Sequence, residues 1–340
     1  MKKKWGTLSI ILSSAAFCVL ILDAKTALKG AQDGVALCLQ SVIPSLLPFI
    51  FISLVLNASI TGRSLRLIRP LCRLLGIAEG MESVLLLGFL GGYPIGAQSV
   101  NDAFVHGYIS RSNAQRLLGF CNNAGPAFIF GIARSLFPET RAVWWLWGIH
   151  VASALMVGVL LPVEKHPYRC TTNVDPMSLP KAIENAVRIM ARICGWVIIF
   201  RVLISFSENW FLWLFPIPYQ ALFCGILELT NGIYALIELP LFGQRYIIAS
   251  VILAFGGICV SMQTIHVTQA VGKSLYFPGK LIQTVISFLL AAITQHFIFS
   301  PDQILRIPLW MFLLCSVLLC VPAMYLHRKK SCSITKGNVV

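Results

Sequence analysis

Charged residues are scarce in this sequence. Asp, Glu, Lys and Arg make up 12% of its 340 residues and hydrophobic residues 57%, whereas soluble domains carry about 25% charged and about 45–50% apolar residues. So little charge could not cover a water-facing surface. The composition therefore excludes an ordinary soluble protein. It predicts an all-α polytopic membrane protein, because lipid-facing helices satisfy their own backbone hydrogen bonds.

Motifs typical of catalysis and metal binding are also missing. The eleven cysteines include no CxxC pair, and the chain contains no GxxxxGK[ST] phosphate loop, no HExxH and no nucleophile elbow. ATP-driven transport and hydrolysis by this chain are therefore disfavoured. We expect no enzyme activity, no cofactor and no metal site.

Acidic residues are fewer than basic ones, 13 against 27, which gives a net charge of +14. The basic residues lie in short clusters beside apolar runs, at Lys2 to Lys4, Arg63 to Arg73 and His327 to Lys330. Such clusters set the orientation of membrane proteins. A nucleic-acid-binding protein would instead show a basic face interleaved with aromatic residues. We predict the lipid bilayer as a partner, no nucleic-acid partner, and both termini in the cytoplasm.

The sequence contains about eight apolar runs that are long enough to cross a bilayer, which takes roughly 20 residues. They lie near 5–22, 35–58, 115–135, 142–162, 182–204, 245–270, 277–299 and 306–326. No clean small-x-small cleavage site follows the first of these runs. We therefore interpret it as an uncleaved anchor and not as a signal peptide.

Two further apolar stretches, 82–104 and 218–241, are interrupted in the middle by helix-breaking or polar residues. If both turn back as re-entrant hairpins, the cytoplasmic loops hold five basic residues and the external loops two, as the positive-inside rule requires. If both cross the membrane, this charge falls on the wrong side. The charge distribution therefore favours two hairpins. The loops in question are 105–116 and 163–181 inside, and 134–141 and 205–217 outside.

The chain repeats itself weakly. Residues 84–90 before the first interruption resemble 221–227 before the second, and 118–123 resemble 253–258 at nearly the same spacing. In the hairpin topology the second copy enters the membrane from the opposite side. Two inverted repeats with paired interrupted segments are typical of secondary transporters. The predicted domains are an anchor (1–25), a first repeat (26–165), a cytoplasmic linker (166–181), a second repeat (182–327) and a basic cytoplasmic tail (328–340).

The first interrupted stretch supplies the candidate site residues Gly92, Tyr93, Pro94, Gly96 and Gln98. Pro94 lacks an N–H and disfavours helix in the residue before it, while glycines permit unusual backbone angles. A half-helix that begins near Pro94 would present free N–H donors and a positive dipole end, a natural site for an anion. Close helix packing at these small residues is the alternative interpretation.

Asn122 and Asn123 are the next candidates, with Gly125 beside them. Two adjacent amides inside an apolar span are costly unless they form hydrogen bonds. They offer both donors and acceptors to a polar ligand. An interhelical hydrogen-bond clamp is the structural alternative.

Glu228 leads the candidates of the second half, together with Thr230 and Asn231. An ionisable residue inside a membrane segment is a functional candidate by default. It could carry a proton, or it could be a structural partner of an arginine. The arginines considered for that pair are Arg188, Arg192 and Arg201. The remaining candidates, in the segment that matches 118–123 and just after it, are Gly256, Gly257 and Gln263.

Several of these motifs resemble a known family. Gly91 to Ala97 and Cys121 to Ile129, supported by Pro44 to Phe49, Gly225 to Gly232 and Gly256 to Gln263, resemble the YlbJ-type sporulation integral membrane proteins. These belong to the nucleoside-recognition (Gate) superfamily, related to concentrative nucleoside transporters. The resemblance extends over about residues 26–325. It implies two inverted Gate-like repeats, each with a re-entrant hairpin and a discontinuous helix, and a role in carrying dipicolinic acid across the outer forespore membrane.

We therefore expect about eight transmembrane helices plus two re-entrant hairpins in two inverted repeats, forming a transporter of a small anionic metabolite, with dipicolinate as the substrate. The expected location is the cell membrane or the outer forespore membrane. A carrier of nucleosides or other small metabolites, and a non-transporting scaffold for sporulation proteins, are the alternatives. Glu228 would repel a dianion unless it is protonated, paired with arginine or bound to a coupling cation. The sequence leaves a homo-oligomer open.

Overall fold

The computed structural model describes residues 2–163, 177–272, 274–311, 314, 315, 318 and 319, and all regular secondary structure in this part of the chain is helical. A π-helical turn, Cys38–Val42, joins α2 and α3 into one helical stretch. In chain order the α-helices are α1 Lys2–Leu22, α2 Ala24–Leu37, α3 Ile43–Ile60, α4 Arg69–Leu74, α5 Glu82–Leu90, α6 Ile95–Val105, α7 Arg111–Leu118, α8 Pro126–Gly131, α9 Thr140–Leu160, α10 Leu179–Trp210, α11 Ile217–Leu227, α12 Leu229–Ala235, α13 Phe242–Phe255, α14 Gly257–Val267 and α15 Tyr276–Ile298.

Five helical stretches of the described residues are long and apolar enough to cross a membrane. They are Ala24–Ile60, Thr140–Leu160, Leu179–Trp210, Phe242–Val267 and Tyr276–Ile298. They coincide with five of the predicted crossings, and the predicted anchor at 5–22 lies within α1. The predicted crossing at 306–326, the linker at 166–181 and the tail at 328–340 fall largely or wholly outside the described residues.

The predicted crossing near 115–135 is not one continuous helix. It consists of α7, an unwound stretch over 119–125, and α8. The local sequence explains the break, because Pro126 begins α8 at a position where the missing N–H costs nothing. Gly125 before it is extended, as a residue that precedes proline prefers to be. The expected crossing 245–270 is interrupted in a similar way, at Gly256 between α13 and α14, where φ is +82°.

Both interrupted apolar stretches fold as helical hairpins. α5 and α6 pack against each other after the chain turns at 91–94, and α11 and α12 do so after a turn at Glu228. Glycines allow this close approach: a Cβ added to Gly96 would lie 3.0 Å from the Cα of Gly88. A Cβ added to Gly232 would lie 2.5 Å from the backbone N of Gly225. Small residues at equivalent places in both hairpins therefore let the backbones touch.

The same order of elements occurs twice in the described chain. A hairpin, a broken helix and a long helix follow one another as α5/α6, α7–α8 and α9, and again as α11/α12, α13–α14 and α15. Long apolar helices precede each copy, and these helices, α2–α3 and α10, pack against each other. The helices α9, α13 and α15 form a second packed group. The first hairpin contacts α3, α8 and α14, and the second hairpin contacts α10, α13 and α14.

Candidate functional site

The four breaks meet at one place in the molecule. A Cβ added to Gly92, at the turn of the first hairpin, would lie 2.9 Å from the backbone N of Gly125 in the unwound stretch. A Cβ added to Gly256 would lie 3.0 Å from the hydroxyl of Tyr93. A Cβ added to Gly257 would lie 3.1 Å from a carbonyl oxygen of α11. Gly92, Gly256 and Gly257 also have φ between +70° and +82°, a region that favours glycine.

A central cavity of about 40 Å³ lies at this meeting point. Residues at the breaks form one part of its lining. The other part is mostly apolar and comes from α8, α10, α14 and the α2–α3 stretch. Its volume is that of one or two water molecules. Six predicted site residues line it: Gly92, Tyr93, Gly125, Glu228, Thr230 and Gln263.

Glu228 caps the start of α12. Its Oε1 accepts a hydrogen bond from the N–H of Thr230 at 3.0 Å, and its Oε2 accepts from the N–H and the Nδ2 of Asn231 at 2.8 and 2.7 Å. The side chain is buried, and both carboxylate oxygens are used by N–H donors of the first turn. Glu228 therefore acts as an N-cap, which satisfies amides that would otherwise have no partner in the helix.

Glu228 forms no ion pair with the arginines considered from the sequence. Arg188 instead pairs with Glu184 at 2.9 Å. Arg201 bridges Asp33 and Glu208 at 3.1 and 2.9 Å. Arg192 takes part in none of the ion pairs of the described residues. Of the two alternatives for Glu228, an ion pair with one of these arginines is therefore not found among the described residues. The physical reason is that α12 itself supplies the compensating donors.

Asn122 lies behind the central cavity and is fully buried. Its Oδ1 accepts from the N–H of Ala97 at 3.2 Å, and its Nδ2 donates to Oγ1 of Thr264 at 2.8 Å. One side chain thus joins the unwound stretch to the first turn of α6 and to α14.

Asn123 is also fully buried and turns towards α15. Its Nδ2 donates to the carbonyl of Phe120 at 2.6 Å, and its Oδ1 accepts from Nε2 of Gln283 at 3.1 Å. Next to it, the N–H of Ala124 donates to Nε2 of His150 at 3.0 Å. Both asparagines have the contacts of an interhelical clamp and do not line the central cavity. A direct contact with substrate stays a prediction for both.

Lys280 is a residue of this region that sequence reasoning missed. It lies in α15 with 1% of its surface exposed. Its ammonium donates to Oε1 of Gln283 at 2.9 Å and to Oδ1 of Asn123 at 3.3 Å, and it lies 5.4 Å from the centre of the Tyr93 ring. The signal was present in the sequence, because a lysine inside an apolar span is a functional candidate by the same rule that singled out Glu228.

Comparison with known proteins shows what this chain is similar to. The chain is 26% identical over 313 residues to the Sporulation integral membrane protein YlbJ of Bacillus subtilis (strain 168), across 78% of this chain and 77% of that protein. The resemblance to YlbJ-type proteins is confirmed. No family model matches the chain, and no solved structure matches it significantly. Taken with its long apolar helices, the similarity shows a multi-pass integral membrane protein.

The remaining predicted residues of this YlbJ-like chain take other positions. Pro94 immediately precedes α6, and Asn231 binds Glu228. Gly96 lies at the close contact between α5 and α6. Gln98 lies further along α6, where it lines two larger cavities of about 460 and 290 Å³. The candidate site therefore consists of the small central cavity and two larger cavities beside the first hairpin.

Proposed function

We propose that this chain is a secondary transporter of a small anionic metabolite during spore formation, with dipicolinate as the first substrate to test. The observation that carries the proposal is the meeting of four helix breaks at one place, where three of them line a cavity. Broken helices at membrane depth leave backbone donors and acceptors free, and they are tolerated where they line a cavity or are buried in protein. Transporters place their binding sites at such breaks. A scaffold protein would need none of them.

The helix ends at the cavity suit an anion and a cation together. α6 and α14 begin at the breaks, so their positive ends point to the centre. α5 and α13 end there, and their terminal carbonyl oxygens favour a cation. Discontinuous helices use these two kinds of end for an anionic substrate and its coupling cation. The charge of Glu228, which would repel a dianion, is offset by three N–H donors of α12.

Transport of a molecule as large as dipicolinate requires the central cavity to widen. Sites for small organic ligands typically measure about 300–1,000 Å³, against the 40 Å³ here. The two cavities of about 460 and 290 Å³ beside α6 give the first hairpin room to move. We propose that movement of this hairpin opens the central cavity towards one side of the membrane.

In this proposal the two hairpins enter the membrane from opposite sides, as parts of two inverted repeats. Both termini are cytoplasmic, and the membrane is the cell membrane or the outer forespore membrane. Arg116 is buried, but its guanidinium donates to the carbonyl oxygens of Gly158 and Leu161 at 2.5 and 3.2 Å. The end of α7 therefore lies beside the end of α9. This agrees with the assignment of loops 105–116 and 163–181 to one side.

Cysteine labelling from outside the cell tests this topology. On a background without cysteines, we expect Ser112→Cys to resist a membrane-impermeant maleimide until the cells are opened. We expect Asn209→Cys to react in intact cells. Both residues are exposed in the structure, so a failure to react reports the side of the membrane and not burial. External labelling of position 112 would contradict the hairpin topology.

Uptake by the purified protein in vesicles tests the transport function. We expect labelled dipicolinate to enter vesicles that contain the protein and not empty vesicles, and uridine to enter neither. A deletion strain should form spores with little dipicolinate, and the intact gene should restore it. Uptake of uridine alone would favour a nucleoside carrier. No uptake of either by folded protein would overturn the proposal in favour of a scaffold.

A further inference from the structure

Lys280 is a buried charge without a charged partner. None of the ion pairs of the described residues includes it, and its hydrogen-bond acceptors are two side-chain amide oxygens. Neutral amides offset the positive charge only in part. A buried ion that lacks a counter-ion is costly in a low-dielectric interior. An anion that comes close to Lys280 would therefore be held more strongly than in water.

Other buried charges of the described residues are compensated more fully. Glu82 pairs with Arg69 at 3.0 Å, and Glu228 caps α12. Arg116 donates to two main-chain carbonyl oxygens at the end of α9 and stacks on Phe120. A helix end attracts a cation, which gives Arg116 a structural explanation. Lys280 also has a ring and two oxygen acceptors within reach, but its acceptors are side-chain amides and not the carbonyl oxygens of a helix end. It lies near the start of α15, where the helix dipole is unfavourable for a cation.

Lys280 is one side chain away from the central cavity. Its ammonium lies 5.4 Å from the centre of the Tyr93 ring, and Tyr93 lines the cavity. The Tyr93 hydroxyl donates to the carbonyl of Leu253 at 3.0 Å, so the ring is fixed between the lysine and α13. We infer that Lys280 makes the central site select anions. Its positive charge, on the other side of the Tyr93 ring, stabilises the negative charge of a carboxylate bound in the cavity.

This inference rests on the proposed transport function and deepens it. It assigns anion selectivity to a residue that does not touch the substrate, so Lys280 is a positioning charge. The favourable interaction depends on the charge of the ligand and hardly on its shape. A ligand of the same outline without charge should therefore be insensitive to Lys280. A loss of binding for the charged ligand alone would therefore show an electrostatic role of Lys280, and an equal loss for both ligands a purely structural role.

The test compares dipicolinate with pyridine-2,6-dicarboxamide, its neutral analogue, in binding to purified full-length protein in nanodiscs. We expect Lys280→Met to weaken dipicolinate binding about tenfold or more, as the loss of one opposite charge in a poorly hydrated site implies, and to change diamide binding less than about twofold. Gln283→Met is the matched control. It removes hydrogen bonds to Lys280 and Asn123 but keeps the lysine itself, so it should lower the preference for dipicolinate over the diamide less than Lys280→Met does.

A second variant guards against misfolding of Lys280→Met. Gln283→Glu keeps the lysine and gives its ammonium a carboxylate at the position of the present acceptor. We expect it to reduce the preference for dipicolinate as Lys280→Met does. Unchanged dipicolinate binding by either folded variant, or a parallel loss of both ligands, would overturn the inference. If the wild-type protein binds the diamide but not dipicolinate, both the proposed substrate class and the inference are wrong.

Discussion

Gly232→Ala is expected to destabilise the second hairpin by forcing α11 and α12 apart. The added Cβ would lie 2.5 Å from the backbone N of Gly225 and closer still to its Cα. Both are main-chain atoms of α11, which cannot turn away as a flexible side chain could. Overpacking of a core costs about 1–3 kcal/mol, and we expect Gly232→Ala at the upper end of that range because α11 and α12 would have to separate. The variant should lose about 5 °C of apparent melting temperature.

The measurement is the melting temperature of the full-length protein in detergent, followed by the monodisperse fraction left after heating. Gly148→Ala is the matched control, since it adds the same methyl group within α9, where nothing lies within 4 Å of the new Cβ. Alanine in a helix interior is about 0.5–1 kcal/mol more favourable than glycine, so the control should keep or raise the melting temperature. Equal melting temperatures for the two variants would show that α11 and α12 do not touch at these glycines.

The breaks inside the two interrupted stretches could be predicted because their causes are local. Gly91, Gly92 and Pro94 disfavour a continuous helix, and Glu228 to Gly232 place polar residues in an apolar run. The five helices long enough to cross a membrane follow equally from hydropathy. Gly125 followed by Pro126 likewise indicates a local break. The break at Gly256 was harder to predict, since it lies inside a run that is apolar enough to be interpreted as one crossing. Glycine and proline only permit a break, and packing decides whether it forms.

The composition of the site could be predicted only in part, because its contacts join distant parts of the chain. Asn122 was a candidate from its polarity, but its partners Ala97 and Thr264 lie in other elements. The contact between Lys280 and Asn123 spans 157 residues. Neither the periodicity of apolar residues nor the composition predicts contacts between residues so far apart in the sequence. An ionisable residue in an apolar span is a functional candidate. This rule, applied to Lys280 as it was to Glu228, would have predicted a site residue in α15.

Glu228 is expected to be needed first for the second hairpin and only then for transport. Its two oxygens accept from two backbone N–H groups and one side-chain amide. Thr230 is buried with it, and Asn231 is half-buried. A buried donor left without a partner costs about 1–3 kcal/mol. Glu228→Ala leaves all three donors without an acceptor, so we expect the free energy of unfolding to fall by about 3 kcal/mol. Glu228→Gln keeps one acceptor oxygen and turns an NH₂ group towards N–H donors, so an intermediate loss should follow.

Melting temperature and the pH profile of uptake, measured on the same preparations, separate this cap from a proton carrier. Glu184→Ala is the control, because it removes a carboxylate from an exposed pair with Arg188, and such pairs contribute about 0–1 kcal/mol. A cap predicts that stability falls in the order wild type, Gln, Ala, and that the folded Gln variant keeps the pH profile of the wild type. If Glu228→Gln melts at the wild-type temperature and its uptake no longer depends on pH, Glu228 carries the transported proton. Its hydrogen bonds to α12 would then be ones that the protein breaks in each transport cycle.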